Sequence, residues 1–236
     1  MTMKIRIYGL LIATVLLAAS ARAQVAFDNA STVQVATSIT SKTFSFAVGS
    51  GPNSVLFVGV GGISSASPTS VTYAGSAMTL IKSATSNSGG HLTSLYALVA
   101  PATGANNVIV TFASAITFYS AAVSYSGMNQ STTADNSTTT SGTSTSTAPA
   151  LTTVANNCWT IAFTLAPGGN ITAGTGTTLR TGTGQLVAFT DSNAAITPAG
   201  SSTLNMSFTS SAFGTTMVSF APSAGATVRG KFFRLM

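Results

Sequence analysis

Apolar residues in this chain recur in short runs with a period of two, and no stretch beyond the first two dozen residues repeats at helical spacing. The pattern is plainest between Leu92 and Met128. Val108, Val110 and Phe112 alternate with Ile109 and Thr111, while Tyr119, Ala121, Val123 and Tyr125 alternate with Ser120, Ala122 and Ser124. This is the signature of strands with one buried face. It predicts three strands, Leu92 to Val99, Val108 to Phe112 and Tyr119 to Tyr125, separated by Pro101 to Gly104 and by Ala113 to Ala115, arranged as a β-meander. A similar succession returns at Leu186 to Phe189, Leu204 to Phe208 and Thr215 to Phe220, so the chain reads as two related halves.

Elsewhere the same rules give shorter elements. Val25 to Phe27, Val33 to Ala36 and Thr43 to Ala47 read as strands, and Gly49 to Asn53 as a turn. Val55 to Val60 is almost wholly apolar, as suits a central strand covered on both faces. Gly61-Gly62 and the Ser-rich segment through Pro68 then read as a surface loop. Val71 to Leu80 has the look of a tight hairpin, with Ala74 to Ser76 at the bend and Tyr73 and Met78 packing across it. Ser83 to Gly90 is polar and loop-like. From Gln130 to Thr147 the chain is mostly Ser and Thr, which suits either a flexible linker or a solvent-washed edge strand. The edge strand fits better if the two halves share one sandwich. Leu151 to Val154 and Cys158 to Leu165 follow, the second matching Val55 to Val60, and Thr177 to Thr181 corresponds to Met78 to Lys82. Many short strands with frequent turns predict an all-β fold, specifically a jelly-roll-like β-sandwich in which each half contributes to both sheets.

The ends of the chain read differently. Lys4 and Arg6, the apolar run Leu10 to Ala19 and the small-x-small site Ala21-Arg-Ala23 form a signal peptide, predicting maturation at Gln24. The organisation expected is therefore a signal peptide at 1–23, one sandwich domain at 24–222 and a basic tail at 223–236. Much of the net charge of +6 belongs to those ends. In the body Lys42, Lys82 and Arg180 balance Asp28, Asp135 and Asp191, which argues against nucleic-acid binding through a basic face. After signal cleavage no membrane partner is expected. Charged residues are 5% of the chain, against roughly a quarter in ordinary globular proteins. Solubility must come from Ser, Thr, Asn and Gly. The single Cys158, flanked by Trp159, Ile161 and Phe163, reads as a small buried residue and excludes an internal disulfide.

Val71-Thr-Tyr-Ala-Gly with Met78-Thr-Leu80, then Leu95 to Gly104, Val108 to Thr111 and Ala122 to Gly127 resemble a pattern of strand ends and turns in uncharacterised exported β-sandwich proteins of bacteria and phages. The resemblance covers roughly residues 25–165 and implies a fold and an extracellular setting, with no catalytic residues carried over. Ala74 stands where such sequences commonly have a second glycine, so the hairpin bend departs from the pattern.

Candidate chemistry is sparse. Paired-carboxylate catalysis needs two acids about 5 to 10 Å apart, and Asp28, Asp135 and Asp191 are widely separated in sequence and in turn-like settings. The only histidine, His91, has no nucleophile elbow to serve, and one His with one Cys makes no usual zinc site. Asp191-Ser-Asn193 and Asp135-Asn136 could offer oxygens to calcium but read more simply as Asx turns. Gly59 to Gly62 and Gly174 to Gly176 lack a phosphate-loop lysine and read as loops. Tyr73, Tyr96 and Trp159 are the candidates for stacking on a sugar ring, with core packing the competing role. The expectation is a non-enzymatic, cofactor-free extracellular structural or surface module, with a carbohydrate-binding module as the alternative and an enzyme with an unrecognised site behind both. Its expected partners are copies of itself, paired through the Thr-rich edge around Thr138 and Thr140, or a cell-surface glycan.

Overall fold

A computed structural model describes residues 24–86, 90–132 and 134–224; the expected signal peptide and the basic tail from residue 225 lie outside them. The described residues form strands and turns with no helix, and every pairing between strands is antiparallel.

The first half supplies β1 (Ala26–Ala30), β2 (Gln34–Val48), β3 (Val55–Gly62), β4 (Ser70–Tyr73), β5 (Ser76–Ala77), β6 (Thr79–Thr85), β7 (Leu92–Val99) and β8 (Gly104–Ser126). They form one sheet in the order β5-β4-β8-β3-β7-β6, with β1 and β2 also paired to β8. The second half supplies β9 (Asn136–Thr147), β10 (Ala150–Thr152), β11 (Trp159–Leu165), β12 (Thr172–Ala173), β13 (Thr178–Thr181), β14 (Val187–Asp191), β15 (Ser201–Thr203) and β16 (Met206–Phe220). Its sheet runs β12-β16-β11-β14-β13 with β9 on β16, and β10 pairs with β15 beside it.

The repeat read from sequence is thus present in register as well as in order. Val55 faces Tyr125 across β3 and β8 as Trp159 faces Phe220 across β11 and β16. Thr79 faces Ala97 as Thr178 faces Asp191, and both ladders carry a bulge at the same place, at Ile81 and at Arg180. The correspondence of Thr177–Thr181 with Met78–Lys82 follows directly.

Two expectations about connectivity are corrected. Each half builds its own sheet instead of contributing to both. The meanders are also absent as such, because β3 lies between β7 and β8, and β11 between β14 and β16. Nor does Ala113 to Ala115 break the chain: β8 runs through it as one 23-residue strand. It bends there, because Ile39 faces Ile116 while Ser41 faces Thr111, so residues 112–115 bulge out of the ladder with β2. A smaller bulge lies in β2 between Ala36 and Ile39, where Ser38 has a φ of 50°. Phe112 and Phe118, on either side of the bend, stay in one core with ring centroids 4.8 Å apart.

Three apolar clusters hold the molecule together. The central one lies between the sheets and unites Phe57, Leu95, Val123 and Tyr125 with Trp159, Ile161, Phe163, Phe189 and Phe220. Each sheet then curls over a cluster of its own, around Tyr73, Val108 and Phe118 in the first half and around Ile171, Leu204 and Met217 in the second. Strands β3 and β11 are consequently buried on both faces, as the apolar run Val55–Val60 predicted.

Gly59 to Gly62 correct the loop reading, because they belong to β3 and are buried. A Cβ on Gly59 would stand 2.2 Å from the Phe163 ring, and one on Gly61 would stand 2.8 Å from Val187. The missing side chains make room for the large residues of the opposite sheet. The Ala74 bend holds as a hairpin, with φ of 49° at Ala74 and 79° at Gly75, the positive values that a two-residue turn of this hand requires.

Candidate functional site

The most polar place in the central interface grows from the bulge at Arg180. An extra residue in a strand re-aims its side chain, and the Arg180 guanidinium lies 4.2 Å over the Phe27 ring of the first half. Its Nε donates to Asp191 Oδ2 at 2.6 Å and its Nη2 to Asn193 Oδ1 at 2.5 Å. Asp191 is fully buried; Oδ2 also accepts from the Tyr125 hydroxyl at 2.7 Å, and Oδ1 from the Asn193 amide at 3.0 Å. Burial, and then the neighbouring Asp191 charge, push the Tyr125 phenol well above its ordinary range. Tyr125 therefore stays a neutral donor to the carboxylate.

Beside this pair opens a cleft of about 430 Å³ between the halves. One wall is the turn between β1 and β2, residues 30–33, and the other is the end of β13 and its hairpin, residues 180–185. The Thr181 hydroxyl donates to the Ser31 carbonyl at 2.5 Å and pins the walls together. Gly182, at φ 91°, is the only residue type that fits its turn, since a Cβ would stand 2.0 Å from the Val187 carbonyl oxygen.

The other two carboxylates form twin clasps. Asp28 accepts from the Gly49 amide at 2.8 Å and from the Ser124 hydroxyl at 2.6 Å. Asp135 accepts from the amides of Val154 and Ala155 at 2.6 and 3.0 Å and from the Ser219 hydroxyl at 3.1 Å. The following asparagines match too, Asn29 donating to Ala47 O and Asn136 to Thr152 O, each at 2.8 Å. Each half thus opens on an Asp-Asn pair that ties its first strand to the segment returning beside it. Asp191 accepts from the amide two residues on, at Asn193, the geometry that the Asx reading predicted. At Asp135-Asn136 the carboxylate instead holds the distant amides of Val154 and Ala155, and Asn136 accepts only from the next residue, Ser137.

Of the sugar-stacking candidates, Tyr73 and Tyr96 share one core and Trp159 lies in another. Tyr73 is fully buried, its hydroxyl within hydrogen-bond distance of the carbonyls of Phe46, Ala102 and Gly104 at 3.2, 3.1 and 3.0 Å. Tyr96 is 6% exposed in the same outer core, and burial raises its phenol pKa. Trp159, also 6% exposed, sits in the central core at 6.0 Å from Tyr125. None presents the open ring face that stacking needs, because the alternation that made them conspicuous is the alternation of a core.

Cys158 is buried, and desolvation, reinforced by its hydrogen bond to Asp135, pushes its thiol up to about 12. Such a thiol is a packing residue. His91 lies beside a turn in which its amide donates to the Ser86 hydroxyl at 3.2 Å.

Sequence reasoning missed the Arg180–Asp191 pair, although a signal was there. Aligning Thr177–Thr181 on Met78–Lys82 sets Arg180 against Ile81, a charge where the twin carries an apolar residue. The fold and this cleft define an all-β, sandwich-like molecule of two like halves. Comparison with protein-family models, with curated proteins and with solved structures returns no match.

Proposed function

We propose that the chain is a non-catalytic structural or surface module, exported by its N-terminal signal and working outside the cell, with its two curled sheets in a jelly-roll-like sandwich. The observation that carries this reading is β9. It pairs with β16 through a long ladder, and no strand is paired to its other side among the described residues. Its sequence is Thr and Ser apart from Asn136 and Gly142, with no charge to repel an incoming strand. A neighbour can extend the sheet there by ordinary backbone pairing. The engaged carboxylates agree with a structural part, because Asp28, Asp135 and Asp191 all spend their oxygens on backbone amides and side chains of the fold. Sedimentation of the mature protein tests the reading: association that grows with concentration supports it, and a strict monomer speaks against it.

A second reading, carbohydrate binding, is favoured by the cleft between the halves. The buried tyrosines and tryptophan do not contribute to it.

A further inference from the structure

We infer that the cleft beside Arg180 is a binding site for an acidic saccharide, a chain of sugar units carrying carboxylates. The inference stands apart from the structural reading of β9, on the opposite side of the second sheet, and deepens the carbohydrate-binding alternative.

The first argument comes from comparing the halves. The positions of Arg180 and Asp191 correspond in the first half to Ile81 and Ala97, both packed on the central core. The fold therefore builds this corner without an ion pair. A desolvated pair seldom stabilises more than the apolar residues that could replace it, so its presence in one half alone calls for another role.

The second argument is the chemistry of the walls. Asp191 and Asn193 engage two of the five N–H groups of Arg180, and Phe27 covers one face of its plane. The outer end of the fork remains, and two parallel N–H groups suit a carboxylate. Thr183 and Gln185 add exposed side chains that make no hydrogen bond within the described residues, and the Thr32 hydroxyl, which accepts from Gln34, keeps its proton to donate. The only carboxylate nearby, Asp191, is fully buried with both oxygens occupied. Beside hydroxyl and amide groups that both donate and accept, the guanidinium is the one charged group of the lining and a donor only. The hydroxyl and amide groups suit sugar hydroxyls of any kind, whereas the free end of the guanidinium gains most from a carboxylate, which a uronate supplies.

The third argument is readiness. The Thr181 bond to Ser31 and the turn at Gly182 fix both walls before any ligand arrives, which lowers the ordering cost of binding. At about 430 Å³ the cleft is within the usual range for small-ligand sites.

The test is an amide-shift titration of the folded protein with trigalacturonate, with maltotriose as the neutral sugar and acetate as the bare carboxylate. Saturable shifts confined to residues 30–33 and 180–185 are expected with trigalacturonate, at least about tenfold weaker ones with the other two. Gln185→Ala, at an exposed position, should weaken binding by roughly threefold, and Arg180→Lys, which keeps the charge and loses the fork, by about tenfold. The thermal midpoint of each variant is read alongside. No shift with trigalacturonate overturns the proposal, as do shifts elsewhere on the surface or no effect of Gln185→Ala. Equal binding of maltotriose overturns the acidic preference, and equal binding of acetate reduces the site to a bare anion site and overturns the saccharide.

Discussion

At Cys158 burial and the Asp135 carboxylate act in the same direction, and the consequence is a dependence of stability on pH. The thiol ionises near 9 when exposed and is pushed up to about 12 in the fold. Above pH 9 the unfolded chain releases this proton while the folded chain keeps it, so the unfolded state binds fewer protons and stability falls as pH rises. The contribution is complete below pH 9 and is lost progressively towards 12. Denaturant unfolding at matched pH values should show a shallower alkaline loss for Cys158→Ala than for the wild type. Equal slopes would mean that the thiol is solvated. The burial of Cys158 was legible from Trp159, Ile161 and Phe163 around it. Its bond to Asp135 was not, because 23 residues separate the two and only the returning strand brings them together.

Among elements, the crossing of β3 and β11 shows most clearly what a single strand can and cannot reveal. An almost unbroken apolar run identified Val55–Val60 as a strand buried on two faces, and Cys158–Leu165 by its likeness to it. It could not show that β3 stays extended through Gly59–Gly62, because those glycines are explained only by residues of the opposite sheet. Gly59 and Phe163 occupy equivalent positions in the two halves and meet as hole and knob. Gly59→Ala should therefore cost on the order of 1 to 3 kcal/mol through overpacking. Phe163→Leu in the same chain should return part of that loss, a coupling that a double-mutant cycle measures. Additive effects would show that the strands do not touch there. The same limit explains β8. Ala113 to Ala115 look like a turn locally and do bulge out of the ladder with β2, between the pairings of Thr111 and Ile116, yet the strand continues beyond them, which the local pattern does not announce. The Thr-rich segment was legible as an edge strand, but its facing was not: Thr138 and Thr140 are half-buried, and the exposed positions are Asn136, Thr139, Thr143, Thr145 and Ser146.

For the whole molecule, the two halves meet through one apolar core, the polar triad Tyr125, Arg180 and Asp191, and hydrogen bonds such as Thr181 to Ser31 and Thr93 to Gly214. Removing only Asp191 by Asp191→Ala strands a guanidinium and a phenol in a buried interface and should cost about 3 to 5 kcal/mol. Changing all three to the residues of the corresponding positions, Tyr125→Phe, Arg180→Ile and Asp191→Ala, leaves no orphan and should stay within about 1 kcal/mol of the wild type by calorimetry. A triple variant as weak as the single one would make the triad essential to the fold and remove the reason for giving the cleft a separate role. The duplication itself was visible in the sequence, whereas its division into one sheet per half was not, since period-two patterns carry no record of which strands are neighbours. That division leaves β9 paired to β16 alone among the described residues, and the proposed role depends on it. The most direct measurement is sedimentation of the chain from Gln24 onward beside its Thr139→Lys, Thr145→Lys variant, with thermal midpoints recorded for both. The account predicts concentration-dependent association of the wild type and its loss in the variant, at stabilities within about 0.5 kcal/mol of each other. A wild type that remains monomeric at high concentration, or a variant that associates equally well, would contradict it.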